Sequence, residues 1–448
     1  MIITRIPPSP TGKLHIGTAR TALFNYLFAK KNGGKMVFRS EDTDKARSTK
    51  ESEAEIMSGL QWLGITWDNE GEIVRQSERA PIYREYLEKI IANGGAYVSR
   101  EESKNTPGEM VEVVRLKNPN KVLTFNDLIR GDITFDTTEL GDIVIARNLD
   151  DALYHFTVVV DDYLMGVTHV IRGEDHISNT PRQILIQEAL GIERPIYAHL
   201  PLILAPDRSK MSKRHGAVSI ESYRELGYTK DAILNYLALL GWNPGTDQEL
   251  FTLAELVEKF EVTQIQKSGA VFDIKKFNWF NKEYLRRMSA EEFMTYLDLS
   301  TAEGLPKYFD ITSDSFTRLL PTIQERISIR QEAIDEIKAG EYDFVFVSPT
   351  EYTTDMLKWK NDPDASAALP RLEKAAELLK TADFSTPDTI KAALWGYAEE
   401  VGKGELFSPL RIALSGKAQS PDPFTIAYIV GLEETLRRIA TACDKIKG

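Results

Sequence analysis

The sequence predicts an α/β fold: a parallel-sheet domain carrying an inserted α+β domain, followed by all-α domains. Two observations point there. Near the N-terminus, short apolar runs alternate with a segment of helical periodicity, which is the pattern of a βαβ unit. After Gly216 strand signals fade and helical patterns continue towards the C-terminus. The chain of 448 residues is too long for one ordinary core, so several domains are expected.

The elements follow in order. Ile2 to Ile6 reads as a short strand. Pro7-Pro8-Ser9-Pro10-Thr11-Gly12 must then be a loop, because its prolines remove backbone donors. From Leu14 to about Lys30 the apolar positions Ala19, Ala22, Leu23, Tyr26 and Leu27 recur at helical spacing, and Asn32-Gly33-Gly34 ends that helix. Met36 to Phe38 reads as a second buried strand, which completes a Rossmann-like βαβ start. Glu53 to Leu63 and Ala80 to Ala92 read as helices. Val111 to Leu116, Asp142 to Ala146 and Phe156 to Val160 read as strands, and Pro181 to Leu190 as a helix after the strand Val167 to Ile171.

Further on, Thr229 can cap a helix that reaches Leu240 and stops at Gly241. Leu253 to Phe260, Ala290 to Leu297, Ser315 to Ile337, Pro370 to Leu379, Pro387 to Glu400 and Gly431 to Ile446 are also helical. No fixed-period repeat stands out. The expected layout is a first half of the α/β domain over 1–80, an insertion over 81–153 and the second half over 154–205. A connecting region over 206–289 and a helical region of two subdomains over 290–448 follow.

Composition narrows the function classes. Hydrophobic residues at 42% and charged residues at 27% fit a folded soluble protein, so disorder is a poor reading. The one cysteine, Cys443, can form neither an internal disulfide nor a Cys-rich zinc site, which fits a reducing compartment. The N-terminus lacks signal-peptide character, and no run of about 18 apolar residues suggests a membrane span. A cytoplasmic protein with no membrane partner is expected. A net charge of −12 argues against a general nucleic-acid coat but not against one specific RNA partner, because the local field governs phosphate contact.

Two motifs carry chemistry. In Pro8-Ser9-Pro10-Thr11-Gly12-Lys13-Leu14-His15-Ile16-Gly17 a histidine and a glycine open a helix. A helix N-terminus offers unpaired N–H groups and partial positive charge, glycine lets the backbone approach a nucleotide, and imidazole can donate to a phosphate oxygen. His-x-Gly at a helix start is common, however, and neither standard phosphate-loop pattern is present. The second motif, Lys210-Met211-Ser212-Lys213-Arg214, could clamp a polyphosphate, or could simply be a solvated basic loop.

Together, in this order and separation, His15-Ile16-Gly17-Thr18 and Lys210 to Arg214 resemble the HIGH and KMSKS sequences of class I aminoacyl-tRNA synthetases. Thr4 to Gly12, Arg39 to Asp44, Val160 to Val167, Ile171 to His176 and Pro409 to Gly416 look like the glutamyl-tRNA synthetase family, across nearly the whole chain. The resemblance implies an enzyme that activates L-glutamate with ATP and transfers it to tRNA(Glu). It places Arg5, Ile6, Pro7, Ser9, Glu41, the segment Tyr154 to Val158 and Arg172 at the glutamate. Their chemistry agrees: Glu41 suits the ammonium, and Arg172, with Arg5, suits a carboxylate through forked donors. The alternative for Arg172 is a structural ion pair with Glu174 or Asp175.

The resemblance assigns ATP contacts to His15, Gly17, Asp175, Ile203, Lys210, Met211, Ser212, Lys213 and Arg214, with His15 and Lys213 as the catalytic pair. ATP with Mg²⁺ is the expected cofactor. In the helical half it aligns Arg326 with an arginine that reads the third anticodon base, with Arg411 either nearby or holding helices together. Trp359 and Trp395 could stack on bases but are more often core residues. A monomer is expected.

The chain departs from the family at four places. Thr18 ends the first motif where histidine is usual, Pro7 replaces a frequent alanine, and Val158 stands where some members have asparagine. The insertion is short and lacks cysteines, so no structural zinc is expected; stoichiometric zinc in protein purified without chelators would contradict this. Rival readings remain: a glutamyl transferase acting on a modified tRNA base, a small-molecule nucleotidyltransferase, and an inactive tRNA-binding protein. The long helical half argues against the first, the glutamate-pocket blocks against the second, and His15, Glu41, Arg172 and Lys213 against the third. A glutaminyl enzyme would read as β-barrels in the C-terminal half.

Overall fold

The computed structural model describes residues 1–102, 106, 108–211 and 219–448. It divides into two compact units, Met1–Asn281 and Lys282–Gly448.

The first unit begins with the expected βαβ: β1 (Ile3–Ile6), α1 (Ile16–Lys31) and β2 (Lys35–Ser40). β2 lies parallel to β1, with Ile3 opposite Lys35 and Ile6 opposite Phe38. α1 is buried on most sides through Ile16, Ala19, Ala22, Leu23, Phe24 and Leu27, as a helix between a sheet and further helices must be. The turn after it needs glycine at 34, because a Cβ there would sit 2.3 Å from the Ile2 carbonyl oxygen. The prolines of the loop lack donors, yet their carbonyls are used. Pro8 accepts from the Glu41 N–H at 3.0 Å and Pro10 from Thr49 at 3.1 Å.

α2 (Lys50–Trp62), capped by Thr49, leads to β3 (Val74–Arg75), which extends the sheet beyond β2. After α3 (Ala80–Ala92) come β4 (Ala96–Glu102), β5 (Met110–Leu116), β6 (Val122–Asp127), β7 (Gly131–Asp136), β8 (Val144–Asn148) and β9 (Asp151–Ala152). β4, β5, β8 and β9 form an antiparallel sheet. The β6–β7 hairpin does something else. It joins the parallel sheet by pairing Asp127 with Tyr197.

One expectation is overturned here. Phe156 to Val160 is not a strand but the middle of α4 (Tyr154–Leu164). The run is buried all round, and a fully buried helix shows no polar face from which its period could be read. β10 (His169–Gly173), α5 (Thr180–Leu190) and β11 (Ile196–Leu200) then form a second βαβ unit, with His169 opposite Ile196. β12 (Ile203–Leu204), α6 (Ile220–Leu226), α7 (Lys230–Leu239), α8 (Leu253–Lys259), β13 (Ala270–Val271) and α9 (Ile274–Arg286) complete this part of the chain. Thr229 caps α7 as expected, accepting from the Ala232 N–H.

β1 and β10 meet at a seam where a few backbone and side-chain bonds stand in for a ladder. Thr168 N–H donates to Ile3 O and Ile3 N–H to Thr168 Oγ1, both at 2.9 Å. The Ile171 carbonyl accepts from Arg5 Nη1 at 3.3 Å and Asn25 Nδ2 at 3.0 Å.

The second unit is helical: α10 (Ala290–Leu297), α11 (Asp314–Arg326), α12 (Arg330–Lys338), α13 (Asp343–Phe346), α14 (Leu369–Leu379), α15 (Pro387–Val401), α16 (Lys403–Ser415), α17 (Pro423–Val430) and α18 (Leu432–Lys447). The single helix expected over Ser315 to Ile337 is two, because Ile327 and Ile329 are extended between them. Phe293, Phe316, Leu319, Ile323, Leu372 and Leu410 belong to one fully packed core. Trp359 packs so closely over Gly404 that a Cβ there would approach its ring to 2.5 Å. Trp395 is half-buried, with Lys403 4.0 Å and Lys391 5.1 Å from its ring centre. Among the described residues, no helix is long and apolar enough to cross a membrane, and no cluster of three His, Cys, Asp or Glu is placed to hold a metal ion.

Candidate active site

The seam between β1 and β10 opens at the C-terminal ends of the strands, where open parallel sheets form ligand crevices. A cavity of about 460 Å³ lies there. Its wall includes Arg5, Ile6, Pro7, Ser9, Glu41, Tyr154 and Arg172 from the expected amino-acid set, and His15, Gly17, Asp175, Ile203, Lys210 and Met211 from the expected nucleotide set. Ser212, Lys213 and Arg214 lie outside the described residues. Val158 does not reach the wall. It is 2% exposed, one turn further into α4 than Tyr154.

On one side His15 caps α1, its Nδ1 accepting from the Gly17 N–H at 3.0 Å. With Nδ1 an acceptor, a neutral ring carries its proton on Nε2. The N-terminus of α1 faces the same space through Gly17 and Thr18. Asp175 pairs with Lys210 at 3.0 Å, an exposed ion pair worth little as stability but well placed to rearrange around a charged ligand. Gly173 makes room for this carboxylate, since a Cβ there would meet Asp175 Oδ1 at 2.5 Å.

On the other side lies a buried charge network. The Arg39 side chain is fully buried and its guanidinium bridges Asp162 at 2.7 Å and Glu41 at 3.1 Å. Asp162 also pairs with Arg5 at 3.5 Å. Behind it Asp161 accepts from Gln76 Nε2, Arg79 Nε and Tyr83 Oη at 2.8–2.9 Å. Burial raises the Glu41 pKa above the ordinary carboxylate range, and Arg39 and Arg5 only partly offset it. For Asp162 burial is outweighed by Arg39 and Arg5, so its pKa falls. Two adjacent carboxylates thus differ, with Asp162 committed to its arginines and Glu41 receptive to a further cation.

Arg172 is not in the ion pair considered for it. Glu174 bonds Arg130 and the Leu202 N–H, and Asp175 takes Lys210. Arg172 Nε instead donates to His199 Nε2 at 3.2 Å and Nη2 to Thr180 Oγ1 at 2.8 Å. Its Nη1 is buried with no hydrogen-bond partner among the described residues. A buried forked donor with one open arm, in a cavity wall, suits a carboxylate.

Residues that sequence reasoning missed also line this space, notably Arg20, His176 and Pro201. Arg20 Nη2 donates to Pro201 O at 2.6 Å and fixes that wall. Burial, followed by the charge of Arg172, pushes His176 down to about 4, so it is neutral near pH 7, and its Nδ1 lies 3.3 Å from Tyr154 Oη. The available signal was position: His176 follows the C-terminal end of a buried strand.

In the second unit, Arg326 and Arg411 line one open cavity of about 1050 Å³. Arg326 pairs with Glu336 at 3.2 Å and lies 5.6 Å from the Tyr342 ring centre. Arg411 Nε is buried without a hydrogen-bond partner among the described residues.

Comparison with known proteins agrees with both units. Residues 1–112 and 98–279 match the family model of class I tRNA synthetases (E and Q), catalytic domain, and residues 252–443 match an anticodon binding domain. The chain is 39% identical over 480 residues to a glutamate–tRNA ligase of Carboxydothermus hydrogenoformans, covering 98% of this chain and 99% of that one. It is 38% identical over 489 residues to one of Desulforamulus reducens, with the same coverage. Among solved structures it resembles the glutamate tRNA ligase of Elizabethkingia meningosepticum in complex with its amino acid, with a TM-score of 0.84, 30% identity and 99% of both chains covered.

Proposed function

The chain belongs to the glutamate–tRNA ligase family of class I tRNA synthetases and joins glutamate to tRNA with ATP, and we propose which of its residues do so. The observation that carries the assignment is the cavity at the seam, which gathers Arg5, Glu41 and Arg172 on one side and His15, Asp175 and Lys210 on the other.

In this reading Glu41 receives the substrate ammonium, and Arg172, with Arg5, receives the side-chain carboxylate. A glutamine amide would leave part of the arginine fork unpaired, which costs binding. The substrate's α-carboxylate attacks the α-phosphate of ATP, a glutamyl-adenylate forms and pyrophosphate leaves. The enzyme then needs no side-chain nucleophile. Positioning and electrostatics carry the step. His15 Nε2–H and the N-terminus of α1 serve the phosphates, with Lys210 and Lys213 on the pyrophosphate side. Mg²⁺ would arrive with the phosphates, whose oxygens and water are the ligands it prefers. The adenylate next passes to the terminal ribose of tRNA(Glu), at the 2′-hydroxyl in the class I pattern, and Arg326 reads the third anticodon base.

The direct test supplies ATP, labelled glutamate or glutamine, and tRNA carrying each anticodon. Glutamate on tRNA(Glu) is the expected product. Absence of that product under every condition would overturn the assignment, and equal charging of both tRNA types with glutamate would remove the discriminating role of Arg326. Lys213→Ala should lower kcat for adenylate formation by about a hundredfold or more, with the KM for glutamate little changed. Near-normal kcat would remove Lys213 from the mechanism.

A pH prediction follows from Glu41. Its raised pKa means that it protonates at a higher pH than a solvent-exposed carboxylate, and the protonated form no longer offers the ammonium a charge. The KM for glutamate should therefore rise as pH falls, beginning above the ordinary carboxylate range. A KM that stays flat down to that range would contradict the pairing.

A further inference from the structure

Arg172 is held from behind by a histidine whose own orientation is set from the inserted segment. Asp127 ends β6, and His199 lies on β11 beside the strand that carries Arg172. His199 Nδ1 is 2.7 Å from Asp127 Oδ2, and the His199 backbone N–H donates to the same oxygen at 3.0 Å. The other oxygen, Oδ1, accepts from the Ile129 and Arg130 N–H groups at 3.0 and 2.9 Å. A carboxylate accepts only, so the proton of a neutral His199 must sit on Nδ1. Nε2 is then a lone pair, and that lone pair faces Arg172 Nε–H at 3.2 Å, with Thr180 Oγ1 at 3.0 Å. Asp127, His199, Arg172 and Thr180 are all buried.

We propose that Asp127 and His199 are positioning residues for amino-acid recognition: Asp127 fixes the His199 tautomer, and His199 Nε2 sets the Arg172 guanidinium so that its open arm meets the substrate side-chain carboxylate. This rests on the role given to Arg172 above. The opposite tautomer would point Nε2–H at Arg172 Nε–H, two donors facing each other, and the guanidinium would turn. The insertion thereby reaches the amino-acid pocket through two side chains.

Asp127→Asn tests the device sharply. Two N–H groups donate to Oδ1 against one backbone N–H, that of His199, to Oδ2, so the amide oxygen is favoured at Oδ1 and the new NH₂ takes the Oδ2 place and donates towards His199 Nδ1. That drives the ring proton to Nε2. In charging assays with tRNA, the glutamate KM should rise about tenfold or more while the ATP KM stays within about twofold. His199→Gln places an amide oxygen where Nε2 stood, and this acceptor does not depend on Asp127. In the His199→Gln background, Asp127→Asn should add no further rise in glutamate KM. In the wild-type protein, ¹⁵N NMR should find His199 protonated on Nδ1.

An unchanged glutamate KM in folded Asp127→Asn protein would overturn the proposal. So would an equal rise in both KM values, full additivity with His199→Gln, or a wild-type proton on Nε2. The NMR measurement decides even if Asp127→Asn does not fold. Wild-type protein that charges no glutamate would fail the functional assignment and this inference together, whereas active wild type with an insensitive Asp127→Asn variant fails the inference alone.

Discussion

Replacing Arg172 by alanine should lower kcat/KM for glutamate by roughly thirtyfold to a few thousandfold. The reason is the pairing rule for buried charge. A substrate carboxylate brought into a water-poor cavity without its guanidinium partner costs about 2–5 kcal/mol, and each 1.4 kcal/mol is a factor of ten. The loss should be selective. Glutamine carries no side-chain charge to leave unpaired, so its own kcat/KM should fall much less and the glutamate-to-glutamine ratio should collapse. Arg172→Lys should not restore it, because an ammonium cannot donate at once to His199, Thr180 and a ligand in the geometry a planar fork provides. Steady-state kinetics with both amino acids, beside a thermal melt to verify folding, checks this. Near-normal glutamate kinetics in Arg172→Ala would remove Arg172 from the pocket.

Arg39→Leu should be the most destabilising of the substitutions considered. The side chain is fully buried and neutralises Asp162 and Glu41, with Asp161 4.0 Å from its Nε. Removing one partner of a buried ionic cluster costs about 3–5 kcal/mol because the remaining charges are left without water or counter-charge. For a unit of this size that corresponds to a fall in thermal midpoint of roughly 5–10 °C. The pH dependence has a definite sign. In the wild type Asp162 has a lowered pKa, so its contribution to stability is present above the unfolded carboxylate value and is lost as pH falls. In the variant the stranded carboxylates have raised pKa values and regain stability by taking up protons. The gap between the two melting curves should therefore narrow as pH falls from 7.5 to 5. A gap that widens would contradict the buried-charge account.

How far the sequence revealed this molecule depended on whether a pattern was local. The βαβ start was legible because prolines, a periodic helix and a glycine turn punctuate it within a short span. α4 was misread because every residue from Phe156 to Asp162 is buried, and β-branched valines in a buried run suit a strand as well as a helix. The β6–β7 hairpin was overlooked although β6 alternates, with Leu123, Phe125 and Asp127 inward. Its buried set ends in a carboxylate, which reads as solvent-facing until His199 is seen beside it. The pocket was partly legible through its motifs. Arg39 and Asp162 appeared there only as parts of longer blocks, since their pairing spans 123 positions of chain that no local rule connects. Val158 was assigned through the resemblance, as the end of the segment Tyr154 to Val158; it sits one turn beyond Tyr154 on α4 and is not among the residues lining the cavity.

The seam between β1 and β10 bears on when the enzyme becomes one. Arg5 lies in β1, yet the carbonyl that steadies it belongs to Ile171, 166 positions later. At about 5–20 residues per second, roughly eight to thirty seconds of translation separate the two. Throughout that interval the nascent chain carries only part of the proposed amino-acid site, and it lacks the stabilisation that binding there would confer.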